Sequence, residues 1–247
     1  MSVLIIIPAR LASTRLPGKP LAKIAGIPMV VCVARAVQIA GYGAPVIAAA
    51  DVEIVQVAKE YDIAAVLTDT DLPSGSDRVR AAAEIVDPKG CAEIILNVQG
   101  DMPELLPEHL GAVIDALKND PQADIATCAF QSHSKVERRD ENVVKVVLGE
   151  AMPGKPVQAI GFTRTLAGNE HAAFWHHIGI YAYRRAALER FCALPPSSNE
   201  KRANLEQLRA LDDGMKIVCA LVENDCPGID SPEDLARIRG LREGTAE

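Results

Sequence analysis

Between Met1 and Ala50 the chain contains no aspartate or glutamate, and its first acid is Asp51. Arg10, Arg15, Lys19, Lys23 and Arg35 all fall inside that stretch, although the formal net charge of the 247 residues is −7. Other absences narrow the class. No apolar run approaches the roughly 18 residues of a membrane-spanning helix. The short apolar stretch Val3 to Ile7 has no basic segment before it and meets Pro8 and Arg10 at once, so neither export nor membrane insertion is predicted. Cys32, Cys91, Cys128, Cys192, Cys219 and Cys226 form no CxxC pair, which removes the usual zinc and redox motifs and predicts reduced thiols in a cytoplasmic protein. An extended basic surface is missing too, which argues against a nucleic-acid binder. There is no long Gly/Ser/Pro linker and no internal repeat, so one domain is expected.

What is present is a chain 49% apolar and 24% charged, enough for a substantial core. A locally cationic segment in an acidic protein suits a compact polyanion, such as a nucleoside triphosphate, held at one spot. Short apolar runs alternate with helical patterns. Strands are predicted at Val3 to Ile7, Val46 to Ala50, Ala64 to Leu67, Glu93 to Val98 and Ile125 to Phe130. Helices are predicted at Met29 to Ala40, Ile54 to Tyr61, after Ser76, and at Pro107 to Asn119. Repeated β-α units imply a parallel sheet covered on both faces, with ligands beyond the carboxyl ends of its strands. After Phe130 the text becomes strand-rich, with strands at Val143 to Leu148, Val157 to Thr163 and Trp175 to Tyr183. Helices near Ala186 to Ala193 and Asn199 to Asp212, a strand at Lys216 to Val222 and a helix after Ser231 complete the pattern. The nucleotide-binding core is thus expected over about 1–130 and 214–247, with a smaller lobe over about 131–213.

The loop after the first strand, Pro8-Ala9-Arg10 through Arg15 to Gly18-Lys19-Pro20, spaces three cations among small residues, so that backbone and side chains can both approach phosphates. It is neither a Walker P-loop, since no glycine precedes Gly18 at the required spacing and Pro20 follows Lys19, nor a GxGxxG fingerprint. A merely solvated basic loop is the plainer alternative. Asp101, closing Asn97-Val98-Gln99-Gly100-Asp101 at a strand end, could ligate Mg²⁺ or simply form a turn. Asp230 could join it, or Asp230 or Ser231 could cap the helix that begins with Pro232. Asp69-Thr70-Asp71 matches the DxD motif of glycosyltransferases and equally a polar turn. Ser74-Gly75-Ser76-Asp77-Arg78 could grip a base or ribose, or start a helix with Ser76 as cap.

Together these segments resemble the CMP-KDO synthetases, the 3-deoxy-manno-octulosonate (KDO) cytidylyltransferases, along nearly the whole chain. The resemblance is carried by IPARLASTRLPGKPL from Ile7, SGSDR from Ser74, NVQGD from Asn97 and NVVKVVL from Asn142. HIGIYAYR from His177, LEQLRAL from Leu205 and IDSPEDL from Ile229 complete it. It implies an α/β fold with a Rossmann-like mixed sheet of the nucleotide-diphospho-sugar transferase type, and a smaller strand-rich lobe for sugar binding and dimerisation. It also implies a homodimer and transfer of CMP from CTP to KDO with release of pyrophosphate, a step toward lipopolysaccharide. By the same likeness Pro8, Ala9, Arg10, Arg15 and Lys19 are nucleotide-binding, the three cations facing the triphosphate. Asp101 and Asp230 are the Mg²⁺ ligands, Ser74, Gly75 and Arg78 form the cytidine-side loop, and Gln99 touches the nucleotide as well as the sugar. Gln99, Arg164, His177, Tyr181, Glu206 and Gln207 face the acidic sugar. The chain departs from the family at Met102, where Glu is usual, at Ser198 to Asn204, and around Thr163-Arg164. These departures lie mostly on the sugar side, so an 8-amino-KDO or sialic-acid-like acceptor is the neighbouring alternative. A guanylyl or uridylyl transferase, a glycosyltransferase using Asp69 and Asp71, and a non-catalytic nucleotide-binding regulator are the others.

Overall fold

The computed structural model describes residues 2–13, 15–151, 155–169 and 171–244. The chain divides into two compact units, Met1–Pro107 with Cys226–Glu247, and Glu108–Asp225. The first boundary falls at 107 rather than near 130, because the fifth predicted strand pairs extensively with the later strands.

The first unit is built on β1 (Val3–Ala9), β4 (Pro45–Ala49), β5 (Ala64–Leu67) and β6 (Ile94–Asn97), in the order β5-β4-β1-β6, all parallel. Ile5, Ile6 and Ile7 of β1 are completely buried, as expected of an unbroken apolar run covered on both faces. The crossovers are α1 (Met29–Ala40), α2 (Val52–Glu60) and α3 (Gly75–Val86). Between β1 and α1, a 3-10 turn at Lys19–Leu21 and a two-stranded hairpin, β2 (Lys23–Ile24) with β3 (Ile27–Pro28), went unpredicted because each is too short to show a period. The last helix, α9 (Pro232–Glu243), returns to this unit. Its Leu235 and Ile238, with Ile229 just ahead of it, bury against Ile24, Met29 and Cys32.

The second unit contains α4 (Pro107–Asn119), β7 (Ile125–Ser132), α5 (Lys135–Arg139), β8 (Lys145–Leu148), β9 (Val157–Thr163) and β10 (Phe174–Arg184). It continues with α6 (Arg185–Ala193), α7 (Ser198–Ala203), α8 (Leu208–Asp212) and β11 (Ile217–Val222). Its strands run in the order β10-β7-β11-β9-β8, with β11 parallel to β7 and the other pairings antiparallel, so the fold class is mixed α/β. The single helix predicted over Asn199 to Asp212 is two, because Asn204 adopts the left-handed conformation at φ 51° and ends α7. No helix among the described residues is long and apolar enough to cross a membrane.

Candidate nucleotidyl-transfer site

The site begins where β1 ends. The Ala50 amide donates to the Ala9 carbonyl at 2.9 Å and the Asp51 carboxylate accepts from the Leu11 amide at 2.7 Å, fixing the first turn of the cationic loop. Asp51 precedes α2, yet its side chain makes no cap bond there. Gly18, at φ 66°, then starts the 3-10 turn and directs Lys19 inward. The opposite wall is the loop after β6. A Cβ on Gly100 would stand 3.0 Å from the Pro8 carbonyl oxygen, so the absence of a side chain lets the two strand-end loops touch.

The two carboxylates are brought together by backbone as well as side chains. The Ile229 amide donates to the Asp101 carbonyl at 2.9 Å, which ties the loop before α9 to the loop after β6. Ser231 caps α9 through a box with Asp234, leaving the Asp230 carboxylate free of capping. Lys19 Nζ donates to Asp101 Oδ2 at 2.5 Å and to Asp230 Oδ1 at 2.8 Å, and Arg15 pairs with Asp230 at 3.1 Å. Burial alone would lower the Lys19 pKa, but the two carboxylates more than offset it and hold the ammonium above its ordinary value. Burial likewise opposes ionisation of Asp230, and Lys19 and Arg15 reverse that and keep it below the usual carboxylate range.

These residues line a cavity of about 380 Å³ together with Pro8, Ala9, Arg10, Ser74, Gly75, Arg78 and Gln99. Four cations against two carboxylates leave it positive. Arg78, 2% exposed, is held by Thr68 Oγ1 at 2.6 Å and by the Asp69 carbonyl at 2.8 Å. Burial, and then the charge of Arg10, push its pKa down. The cap of α3 is Ser74, not Ser76: its hydroxyl accepts from the Asp77 amide at 3.2 Å, so the helix starts two residues earlier than the sequence suggested. Gln99 donates to Asn97 Oδ1 at 3.2 Å. Asp69 accepts from the Asp71 amide at 2.9 Å, so the DxD segment is a polar turn with both acids exposed. Met102, where an acid was looked for, is buried at 4% exposure.

Apart from Gln99, which lines the cavity of the first unit, the residues expected to face the sugar lie in the second unit. His177 and Tyr181 of β10 have ring centroids 5.6 Å apart, and His177 and Phe162 pack T-shaped with centroids 5.0 Å apart. Burial, followed by the charge on His176, pushes His177 down to about 3, and burial, followed by Glu206, pushes the Tyr181 hydroxyl up. Glu206 thus stands in the field of Tyr181, while Gln207, 8% exposed, precedes α8. Arg164 is anchored to backbone. Its guanidinium donates to three backbone carbonyls, those of Glu141, Ala203 and Asn204, at 2.8 to 2.9 Å, and so braces the turn before Glu206. Asp51, Thr127 and Lys145 were not singled out from sequence. Only Asp51 carried a signal, as the first residue past a strand whose carboxyl end faces the site.

A parallel sheet with phosphate-seeking cations and two converging carboxylates at its carboxyl edge defines a nucleotide-handling α/β enzyme. The cytidylyltransferase family model matches residues 4–217. The chain is 49% identical over 239 residues to the 3-deoxy-manno-octulosonate cytidylyltransferase of Azorhizobium caulinodans, covering 97% of this chain and 95% of that protein. With the enzyme of the same name from Parvibaculum lavamentivorans it shares 52% over 238 residues, covering 96% and 91%. A solved structure of CMP:2-keto-3-deoxy-manno-octonic acid synthetase complexed with CTP superposes over the whole of both chains with a TM-score of 0.88 at 34% identity. The chain belongs to the cytidylyltransferase family and, within it, groups with the 3-deoxy-manno-octulosonate cytidylyltransferases.

Proposed function

We propose that this protein transfers CMP from CTP to the anomeric hydroxyl of KDO, releasing pyrophosphate for lipopolysaccharide biosynthesis, and that it does so in the cytoplasm as a homodimer. The observation that carries the chemistry is Lys19 Nζ within 2.5 and 2.8 Å of two carboxylates that are 129 positions apart in sequence, inside a cation-lined cavity. Two hard oxygen donors converging on one cationic point fit Mg²⁺, which Asp101 and Asp230 would hold. A magnesium ion there would supply Lewis acidity to the attacking hydroxyl and the α-phosphate. Asp101 and Asp230 hold that position, Lys19 on its flexible stem can turn to a phosphate oxygen, and Arg10 and Arg15 neutralise the departing pyrophosphate. Arg78, held by the Thr68 hydroxyl and the Asp69 carbonyl, shapes the wall that receives the nucleoside. His177, Tyr181, Glu206 and Gln207 receive the sugar. Val147, Ile160 and Leu221, exposed at 40, 57 and 46% on the strands of the second unit, offer apolar surface for a second copy.

The test is pyrophosphate release from CTP and Mg²⁺ with KDO, 8-amino-KDO and a sialic acid offered separately. Release with KDO is expected, and Lys19→Ala or Asp101→Ala should reduce it by on the order of 10²-fold or more with little change in melting temperature. Activity confined to another sugar would move the acceptor assignment to it. Equal use of UTP or GTP would remove the cytidylyl assignment.

A further inference from the structure

Thr127 is completely buried in β7 and faces the irregular stretch of β10, where the register shifts between Ile178 and Ala182. Its hydroxyl oxygen lies 3.2 Å from the Ile178 carbonyl, 2.9 Å from the Ile180 carbonyl and 2.8 Å from Nε2 of His177. A hydroxyl has one proton to give, and carbonyl oxygens can only accept. Were that proton turned toward the ring, two carbonyl oxygens would face hydroxyl lone pairs at hydrogen-bond distance with no donor between them, in a site without water access. The proton therefore goes to the strand carbonyls, and the ring must bring its own hydrogen to the hydroxyl. The ring is neutral, because burial holds it so, and a neutral imidazole protonated at Nε2 carries a bare lone pair on Nδ1. No described residue hydrogen-bonds that nitrogen. Phe162 and Tyr181 flank the ring and limit its rotation.

We propose that Thr127 is a positioning residue that locks His177 as the Nε2–H tautomer, so that Nδ1 is an obligate acceptor reading a hydroxyl of the sugar and not its carboxylate. This rests on the reading above, in which the acidic sugar lies against His177. The consequence is a division of labour. An acceptor nitrogen repels a carboxylate and selects a hydroxyl donor, so carboxylate recognition falls to other side chains.

The test combines a spectrum with kinetics on the intact protein. Long-range proton–nitrogen NMR correlations of histidine-labelled protein, with the His177 signal assigned by its loss in His177→Gln, should show a protonated Nε2 and a bare Nδ1. Thr127→Val keeps the β-branched shape and removes the hydroxyl. It should mix the tautomers and raise the KM for KDO by about tenfold, as for loss of one neutral hydrogen bond, while the KM for CTP stays put. Thr127→Ser should restore both readouts. Of the KDO analogues each lacking one hydroxyl, one should lose about tenfold with wild type and nothing further with Thr127→Val. An Nδ1-protonated ring in the wild type overturns the lock whatever the substrate, and should Thr127→Val fail to fold, that spectrum and Thr127→Ser still decide. Equal rises in both KM values with an unchanged tautomer would make Thr127 a purely structural residue. A wild type with the Nε2–H spectrum that does not turn over KDO would instead sink the substrate reading, and the hydroxyl assignment with it.

Discussion

At the scale of single residues, neighbouring positions divide their work sharply. Ser231 serves the helix and Asp230 the cavity; His176 and His177, adjacent on β10, point to opposite faces of a strand. His177 carries a measurable acid signature. Its pKa is lowered to about 3 from an ordinary 6.5 by burial and then by His176, so between those values the unfolded chain binds a proton that the folded chain refuses. Stability is unaffected above pH ~6.5 and falls on acidification below it, by up to about 1.4 kcal/mol per pH unit from this ring. Melting curves from pH 7 to 4 should therefore show a shallower acid limb for His177→Gln than for the wild type. A parallel limb in the two proteins would contradict the buried neutral ring.

At the scale of elements, the strands and helices of the first unit were readable because each hides an apolar run or stripe, and burial enforces the period that betrays it. The cationic loop was readable for a related reason: its charges follow a strand end, where α/β sheets place ligands. What sequence text did not carry was pairwise geometry. Nothing in Asn199 to Asp212 announces that Asn204 would turn left-handed, and nothing in Arg164 tells that its guanidinium would serve three carbonyls. Nor does a lysine inside a Val-rich strand advertise its task. Lys145 is wholly buried and donates to the Asp140 carbonyl at 2.6 Å and the Arg164 carbonyl at 2.8 Å, so it pins the chain on either side of β8 and β9. Burial, its largest influence, lowers its pKa. Lys145→Met fills similar volume but strands both carbonyls, and should cost about 2–4 kcal/mol in chemical denaturation. Because Arg164 in turn braces the turn before Glu206, KM for the sugar should rise more than KM for CTP.

At the scale of the whole molecule, a chain of net charge −7 places Arg10, Arg15 and Lys19 on one cavity wall. Such a surface draws a triphosphate to one spot while the remainder repels it, and salt weakens that focusing within a Debye length. Accordingly kcat/KM for CTP should fall roughly threefold or more between about 0.05 and 0.5 M salt, whereas kcat at saturating CTP should change little. A salt-independent kcat/KM would show that local contacts alone, not the long-range field, govern capture.

The Lys19 ammonium has one more consequence. Lodged between Asp101 and Asp230, it quenches the mutual repulsion of the two acids without any divalent ion. Metal-dependent folds unravel without their ion; if Mg²⁺ binds here as proposed, a site already counterbalanced by Lys19 is expected to keep its shape without it. Chelator treatment should therefore silence turnover without moving the melting temperature, and readdition of Mg²⁺ should restore activity with no refolding lag.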